Sequence, residues 1–310
     1  MRVRVVVSGV NPTDWKSRAG SGTPMGFAEV VPNQDGAGVV DAVGDGVDSL
    51  SVGDGVWLYL AQHQRPTGTA QEYTVVPASR AVRLPDAATF EIGASLGVPA
   101  LTAHRALSVH DQGPARLGPG ALAGRTVLVQ GGAGAVGHAA IQLAVWAGAT
   151  VIATVSSDAK VKLATAAGAH HTVNYREPGV ADRIRELAPD GVDQIVEVSP
   201  AQNAALDMEV AANHASVAYY ANDGGDELRV PEFSFVKNMR WQGLLMYTVG
   251  EAAWTAGAED ITAALEDGAL RVGEDAGLPL TWFPLADTAG AHAAVEAATV
   301  GKVLIRVAED

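Results

Sequence analysis

The run from Thr126 to Gly137, Thr-Val-Leu-Val-Gln-Gly-Gly-Ala-Gly-Ala-Val-Gly, constrains this chain more than any other stretch. A short apolar run of β-branched residues reads as a buried strand, and it empties at once into glycines. Val136, Ala140, Leu143 and Ala147 then recur at helical spacing, and Gly148 stops the helix. In such a strand, turn and helix the glycines permit a sharp turn, a close approach of backbone to an anion and tight helix-strand packing. The free N–H groups and positive dipole end of the helix would face that anion. The run therefore predicts a phosphate grip for a dinucleotide at Ala133, Gly134, Ala135, Val136 and Gly137.

The alternation around that run continues. Strands are expected at Thr126 to Val129, Thr150 to Val155, Thr172 to Asn174, Asp193 to Val198, Ser216 to Tyr220 and Trp241 to Met246. Six strands with helices between them fit an α/β fold, a Rossmann doubly wound parallel sheet of two βαβαβ halves. Before it, short runs at Val3 to Val7, Gly38 to Val43, Gly55 to Leu60, Gln71 to Val76 and Ala81 to Leu84 are broken by glycine, proline and aspartate, which argues for a partly open β-barrel. A helix at Glu251 to Leu265 precedes a tail of strand character at Leu280 to Phe283 and Lys302 to Val307, with a helix at Ala289 to Ala298 between them. The expected domains are 1–98 (barrel), 99–267 (nucleotide domain) and 268–310 (return to the barrel).

With 310 residues, 35 acidic against 21 basic and a formal charge of -14, the chain offers nucleic acid or an anionic membrane no counter-charge. No apolar stretch is long enough to span a bilayer, and Met1 to Arg4 is not a signal peptide. Cysteine is absent, which removes disulfides, a thiolate nucleophile and any cysteine zinc site. A cytoplasmic enzyme acting on a small molecule is the expectation. Of eight histidines, His170, His171 and His110 beside Asp111 read as polar loop or helix-end residues, and no metal site is expected.

Further landmarks stand in a fixed order: Asn-Pro-Thr-Asp ending at Asp14, Pro-Asn-Gln-Asp-Gly-Ala-Gly ending at Gly38, Val52-Gly53-Asp54, Gly-Thr-Ala-Gln-Glu-Tyr ending at Tyr73, Val-Pro-Ala-Leu-Thr-Ala ending at Ala103, and Gly301-Lys302. With the glycine turn, they resemble the zinc-free quinone oxidoreductase (zeta-crystallin-like) branch of the medium-chain dehydrogenase/reductase superfamily. The resemblance implies a GroES-like catalytic barrel, NADPH as donor, and a quinone or α,β-unsaturated carbonyl as acceptor. Relatives usually begin with an extra strand pair ahead of the one read at Arg2 to Val7. Many also carry a tyrosine shortly after the Asn-Pro landmark, where this chain reads Ala-Gly-Ser-Gly-Thr-Pro up to Pro24. The corresponding zinc-ligand region reads Asn33-Gln34-Asp35.

NAD-specific members place a carboxylate at the end of the second nucleotide-domain strand. Here that strand ends in Ser156 and Ser157, with Lys160 one helical step on, and two hydroxyls and an ammonium suit a 2′-phosphate. Ser157 or Asp158 also suits a helix cap, a role compatible with phosphate binding. The resemblance adds Tyr175 on the adenosine side, then Asn203, the backbone at Tyr220, Ala221, Asn222 and Asp223, that at Leu244, Leu245 and Met246, and Lys302. Toward the reacting end it carries Asn11, Lys16 and Thr102, although Asn11 also suits a turn before Pro12 and Lys16 stands where relatives commonly have tyrosine. Trp15, Trp57 and Tyr59 are candidates for an apolar wall or for barrel core. An enoyl-thioester reductase and a non-catalytic NADPH-binding protein with a structural or sensing role are the alternatives. The family also implies a homodimer, joined edge to edge along Trp241 to Met246.

Overall fold

The computed structural model describes residues 1–21, 26–222 and 227–308. The chain divides into two compact units, one of residues 1–99, 271–273 and 279–310, the other of 100–270 and 274–278.

In the first unit, β1 (Arg2–Val10) leads into α1 (Pro12–Arg18), and β2 (Asp35–Ala42), β3 (Gly55–Leu58), β4 (Tyr73–Val75) and β5 (Ala81–Arg83) follow. β1 is central: it pairs antiparallel with β2 and β4, and Val3, Val5, Val6 and Val7 are all buried. β2 begins three residues earlier than its sequence suggests. Asp35, Gly36 and Ala37 pair with Gly9, Ser8 and Val7, because here glycine serves close approach rather than a turn. A Cβ at Gly38 would lie 2.1 Å from the Arg4 carbonyl oxygen, a contact no side chain survives. The interior is filled by Val3, Val40, Val56, Leu58 and Val76.

The helix α2 (Phe90–Ser108) is kinked at Gly97, two residues before Pro99, and leads into the second unit. There β6 (Thr126–Val129), α3 (Ala135–Trp146), β7 (Thr150–Val155), α4 (Asp158–Ala166), β8 (His171–Asn174), α5 (Val180–Leu187), β9 (Val192–Glu197), α6 (Pro200–Val210), β10 (Ala211–Tyr219), β11 (Arg240–Gly243) and α7 (Glu251–Glu266) follow in turn. The six strands form one sheet in the order β11-β10-β9-β6-β7-β8, parallel throughout. Parallel strands covered on both faces must be apolar along their length, and Leu128, Ile152, Val173, Ile195 and Val217 supply one buried layer with Ile184 of α5 and Val210 of α6. The order reverses at β6, whose successors lie to one side while β9 and those after it lie to the other. That reversal is where open α/β sheets leave a crevice at their carboxyl ends.

The tail returns to the first unit as β12 (Leu280–Pro284), α8 (Thr288–Glu296) and β13 (Lys302–Arg306), with β13 laid between β12 and β1. The chain thus holds both expected architectures, a GroES-like barrel sheet in the first unit and a Rossmann sheet in the second. Among the described residues no helix is long and apolar enough to cross a membrane.

Candidate functional site

β6 delivers the chain into the turn beside the sheet's reversal. Gly132 N donates to Thr154 O at 3.0 Å and Gly134 N to Gly131 O at 3.0 Å, which closes the turn. The glycines stand as Gly132-x-Gly134-x-x-Gly137, and each position has a different environment. Gly137 is buried against the turn, and a Cβ there would lie 2.4 Å from Gly131 O. Gly134 is exposed, and a Cβ there would meet only Gly131 O, at 3.5 Å. As N-cap of α3, Gly134 provides no side-chain acceptor, so the helix's first N–H groups are left to an outside anion. Ala133 is buried, and Ala135 and Val136 are half-buried at the same end. This arrangement suits a dinucleotide diphosphate.

Ser156, Ser157 and Tyr175 come together at the carboxyl ends of β7 and β8, where Tyr175 N donates to Val155 O at 3.0 Å. Ser157 caps α4, its Oγ accepting from Lys160 N at 3.4 Å. Ser156 is buried at the edge of solvent, Lys160 half-buried and Tyr175 exposed. No carboxylate ends β7, whose last residue is Val155.

On the other side of β6, Tyr220 N donates to Glu197 O at 3.1 Å and Asn222 Oδ1 accepts from Ala201 N at 3.2 Å. Asn203 gives its amide Nδ2 to both Glu197 oxygens, at 3.1 and 3.2 Å. Ala221 lies between Tyr220 and Asn222 in the loop after β10, and Asp223 lies outside the described residues. The strand expected through Met246 ends earlier, at Gly243. Leu244 N still reaches Tyr219 O at 2.8 Å, but the chain then turns into a 3-10 helix at Met246, burying Leu244 and Met246 and leaving Leu245 55% exposed. An apolar run alone does not distinguish a strand from such a turn.

In the first unit Asn11 caps α1 in a capping box with Asp14, its own N–H donating to Asp14 Oδ2 at 2.7 Å. Its side chain is buried and engaged at both ends: Nδ2 donates to Asp35 Oδ2 at 2.6 Å, and Oδ1 accepts from Lys302 Nζ at 2.7 Å. Lys302, 1% exposed, also stands 3.7 Å from Asp35 Oδ2. Two carboxyls and one ammonium are thus enclosed together. Burial and the neighbouring Asp35 push the Asp14 carboxyl up to about 7, burial raises Asp35, and burial lowers Lys302. This arrangement pairs Lys302 with Asp35, and Asp14, although its oxygens accept from Asn11 N and Gln34 N, is held near 7 and so gains its proton as pH falls through that value. Asp14 and Asp35 carry no local signal of this role; only the fold brings them to Lys302.

Lys16 lies over the Trp15 ring at 5.8 Å on α1. Thr102 is buried on α2, in the second unit. Trp57 and Tyr59 are barrel core, their rings 5.7 Å apart and the Tyr59 hydroxyl donating to Ser79 O at 2.6 Å.

Residues 1–86 match the alcohol dehydrogenase GroES-like domain family, and residues 135–264 match the zinc-binding dehydrogenase family. Quinone oxidoreductase from Rattus norvegicus is 30% identical over 293 residues, which cover 94% of this chain and 83% of the rat protein. The Homo sapiens quinone oxidoreductase is 28% identical with the same coverage. Among solved structures, a mycobacterial protein complexed with NADPH is 29% identical, with a TM-score of 0.81 over 99% of this chain and 90% of that one.

The second of those family models implies zinc, and the residues do not suit it. The chain has no cysteine, and among the described residues no three His, Asp or Glu groups are placed to share an ion. The Asp35 carboxylate is already divided among Asn11 Nδ2, Val98 N and the Lys302 ammonium.

Proposed function

Since this chain belongs to the quinone oxidoreductase-like branch of the medium-chain dehydrogenase/reductase superfamily, we propose that it is an NADPH-dependent, zinc-independent reductase of a quinone or α,β-unsaturated carbonyl. It is an oxidoreductase, and its fold is one that takes a pyridine nucleotide. The observation that carries the reading is the exposed, uncapped head of α3 at Gly134, set where the Rossmann sheet reverses.

When bound, NADPH would supply a hydride for an electron-poor ring or alkene, so the protein's work is orientation, exclusion of water and stabilisation of developing negative charge. Ala133 to Gly137 hold the diphosphate through backbone N–H groups. Ser156, Ser157 and Lys160 hold the 2′-phosphate, with Tyr175 beside the adenosine. The backbone of Tyr220 to Asn222 and that of Leu244 to Met246 would serve the nicotinamide half, and Asn203 would be a further cofactor contact. Asn11, Lys16 and Thr102 are assigned to the reacting end, and Lys302 acts there by fixing the Asn11 amide. A proton for a quinone product can come from solvent, so no dedicated acid is required.

Mixing the protein with NADPH and, separately, quinones, enones and crotonyl-CoA while following loss of reduced-nicotinamide absorbance tests this reading. Turnover of quinones or enones is expected. Bound NADPH with no turnover of any acceptor would replace it with a non-catalytic role.

A further inference from the structure

Beneath the glycine turn runs a buried chain of polar side chains. Thr154 Oγ1 accepts from Gly131 N at 3.2 Å and donates to Gln130 Oε1 at 2.6 Å. Gln130 Nε2 donates to Asp207 Oδ1 at 3.0 Å. The Asp207 carboxyl in turn lies against that of Glu197. All four are buried: Gln130 just after β6, Thr154 on β7, Glu197 at the end of β9 and Asp207 on α6.

Two carboxyls in contact away from water cannot both be ionised, so the pair holds a proton. Its place follows from the donors. Glu197 accepts from Ser199 N, from Val198 N and from the Asn203 amide, so it is the carboxylate. Among the described residues Asp207 receives only Gln130, on Oδ1, and no N–H or O–H reaches its buried Oδ2. That oxygen is therefore the position open to the proton the pair shares.

We propose that Asp207, held as a neutral acid, is the positioning residue of the nucleotide-binding turn. Its O–H fixes Glu197 and thereby Asn203, its carbonyl oxygen fixes Gln130, and Gln130 through Thr154 sets the N–H of Gly131. The inference rests on the reading that this turn holds a pyridine nucleotide.

Burial and then the Glu197 charge push the Asp207 carboxyl well above the usual range, and burial also raises Glu197. The groups acting on the pair from β6, β9 and α6 are otherwise neutral: Gln130, Asn203 and backbone N–H groups. The cations that reach α6 are engaged elsewhere. Arg185 pairs with Glu209 Oε1 at 2.8 Å, and Lys237 donates to the carbonyl oxygens of Met208 and Ala211 at 2.8 and 2.7 Å. Losing the shared proton at high pH therefore leaves two adjacent carboxylates with no cation among the described residues to neutralise them, and their repulsion displaces Gln130 and Asn203.

The test measures NADPH dissociation constants for wild type and Asp207→Asn across the alkaline range, with circular dichroism confirming the fold at each pH. An amide copies the neutral acid, because its NH2 donates to Glu197 while its oxygen accepts from Gln130. Wild-type affinity should weaken by about tenfold or more as pH rises, whereas Asp207→Asn should match wild type at neutral pH and change by less than about threefold. Asp207→Leu, which breaks both links, should bind at least about tenfold more weakly at neutral pH if it folds. An Asp207→Asn profile that tracks wild type, a wild-type profile without the alkaline loss, or weak neutral-pH binding by folded Asp207→Asn would each overturn the inference. Wild type that binds neither NADPH nor NADH would overturn the functional reading along with it.

Discussion

Lys302 Nζ donates to Asn11 Oδ1 across 2.7 Å, joining the first residue of β13 to the cap of α1 over 291 positions of sequence. The bond decides which way the Asn11 amide points, since its other end is held by Asp35. The same ammonium is the cation that balances the carboxyls enclosed with it.

Replacing Lys302 by methionine removes that cation and leaves the Asp35 carboxylate buried without it. Breaking a buried ion pair from one side costs about 3 to 5 kcal/mol, so Lys302→Met should lower the urea midpoint markedly with an unchanged slope. The double variant Asp35→Asn with Lys302→Met should recover part of the loss. A single variant as stable as wild type would show that the ammonium is dispensable.

Asp14 gives a pH dependence with a defined sign. Its carboxyl is raised from 3.8 to about 7 by burial first and the Asp35 charge second, so the folded state binds the proton more tightly than the unfolded chain. The stability it contributes is present in full below about pH 4 and is lost as pH rises through about 7, at up to about 1.4 kcal/mol per pH unit. Urea unfolding of wild type and Asp14→Asn between about pH 5 and pH 7 should show the stability difference falling as pH rises. A difference that stays constant would place the proton elsewhere.

Much of this fold was legible, and what escaped has a physical reason. β6 and β7 coincide with their expected bounds because a strand buried on both faces is a continuous β-branched run. The start of β2 escaped because Gly36 reads as a breaker, although the strand needs it where Thr69 crowds the backbone. Leu244 to Met246 read as strand because hydrophobicity does not report the 3-10 turn that buries two of the three. At the site, the glycine turn is written in neighbouring residues. The Asp14, Asp35 and Lys302 cluster and the Glu197 with Asp207 pair are made by contacts between distant elements, so no spacing announces them.

The turn itself separates packing from ligand contact. Gly137→Ala forces a Cβ to within 2.4 Å of Gly131 O, so it should destabilise the second unit and abolish nucleotide binding together. Gly134→Ala meets only Gly131 O at 3.5 Å, so it should stay folded. If the diphosphate lies over that exposed position, the added methyl should still weaken NADPH by about 1 kcal/mol or more. Full NADPH affinity in folded Gly134→Ala would move the diphosphate away from this position.

The open edge of the Rossmann sheet carries an oligomer prediction. β11 is an edge strand; Leu245 just after it is 55% exposed, and Phe233 and Phe235, a few residues before it in sequence, are 63% and 68% exposed with ring centroids 6.3 Å apart. A second copy paired along that edge would cover it. Light scattering should give a dimer for wild type and a monomer for Phe235→Glu with Leu245→Glu, and a wild-type monomer would refute the pairing.

Cofactor choice turns on Lys160. The end of β7 offers Ser156 and Ser157 and no carboxylate to take ribose hydroxyls, and the Lys160 side chain is half-buried one helical step away. Ser157 Oγ accepts from Lys160 N as the cap of α4, which leaves its hydroxyl proton to donate to a 2′-phosphate, while the Lys160 ammonium is the charge available to it. A charge-assisted hydrogen bond contributes about 1.5 to 3 kcal/mol, so Lys160→Ala should weaken NADPH by roughly ten- to a hundredfold and leave NADH nearly unchanged. Calorimetric titration with each nucleotide separates the outcomes. Equal weakening of both would mean that Lys160 supports the fold of α4 rather than the phosphate, and no weakening would leave the choice between the two nucleotides to the serines.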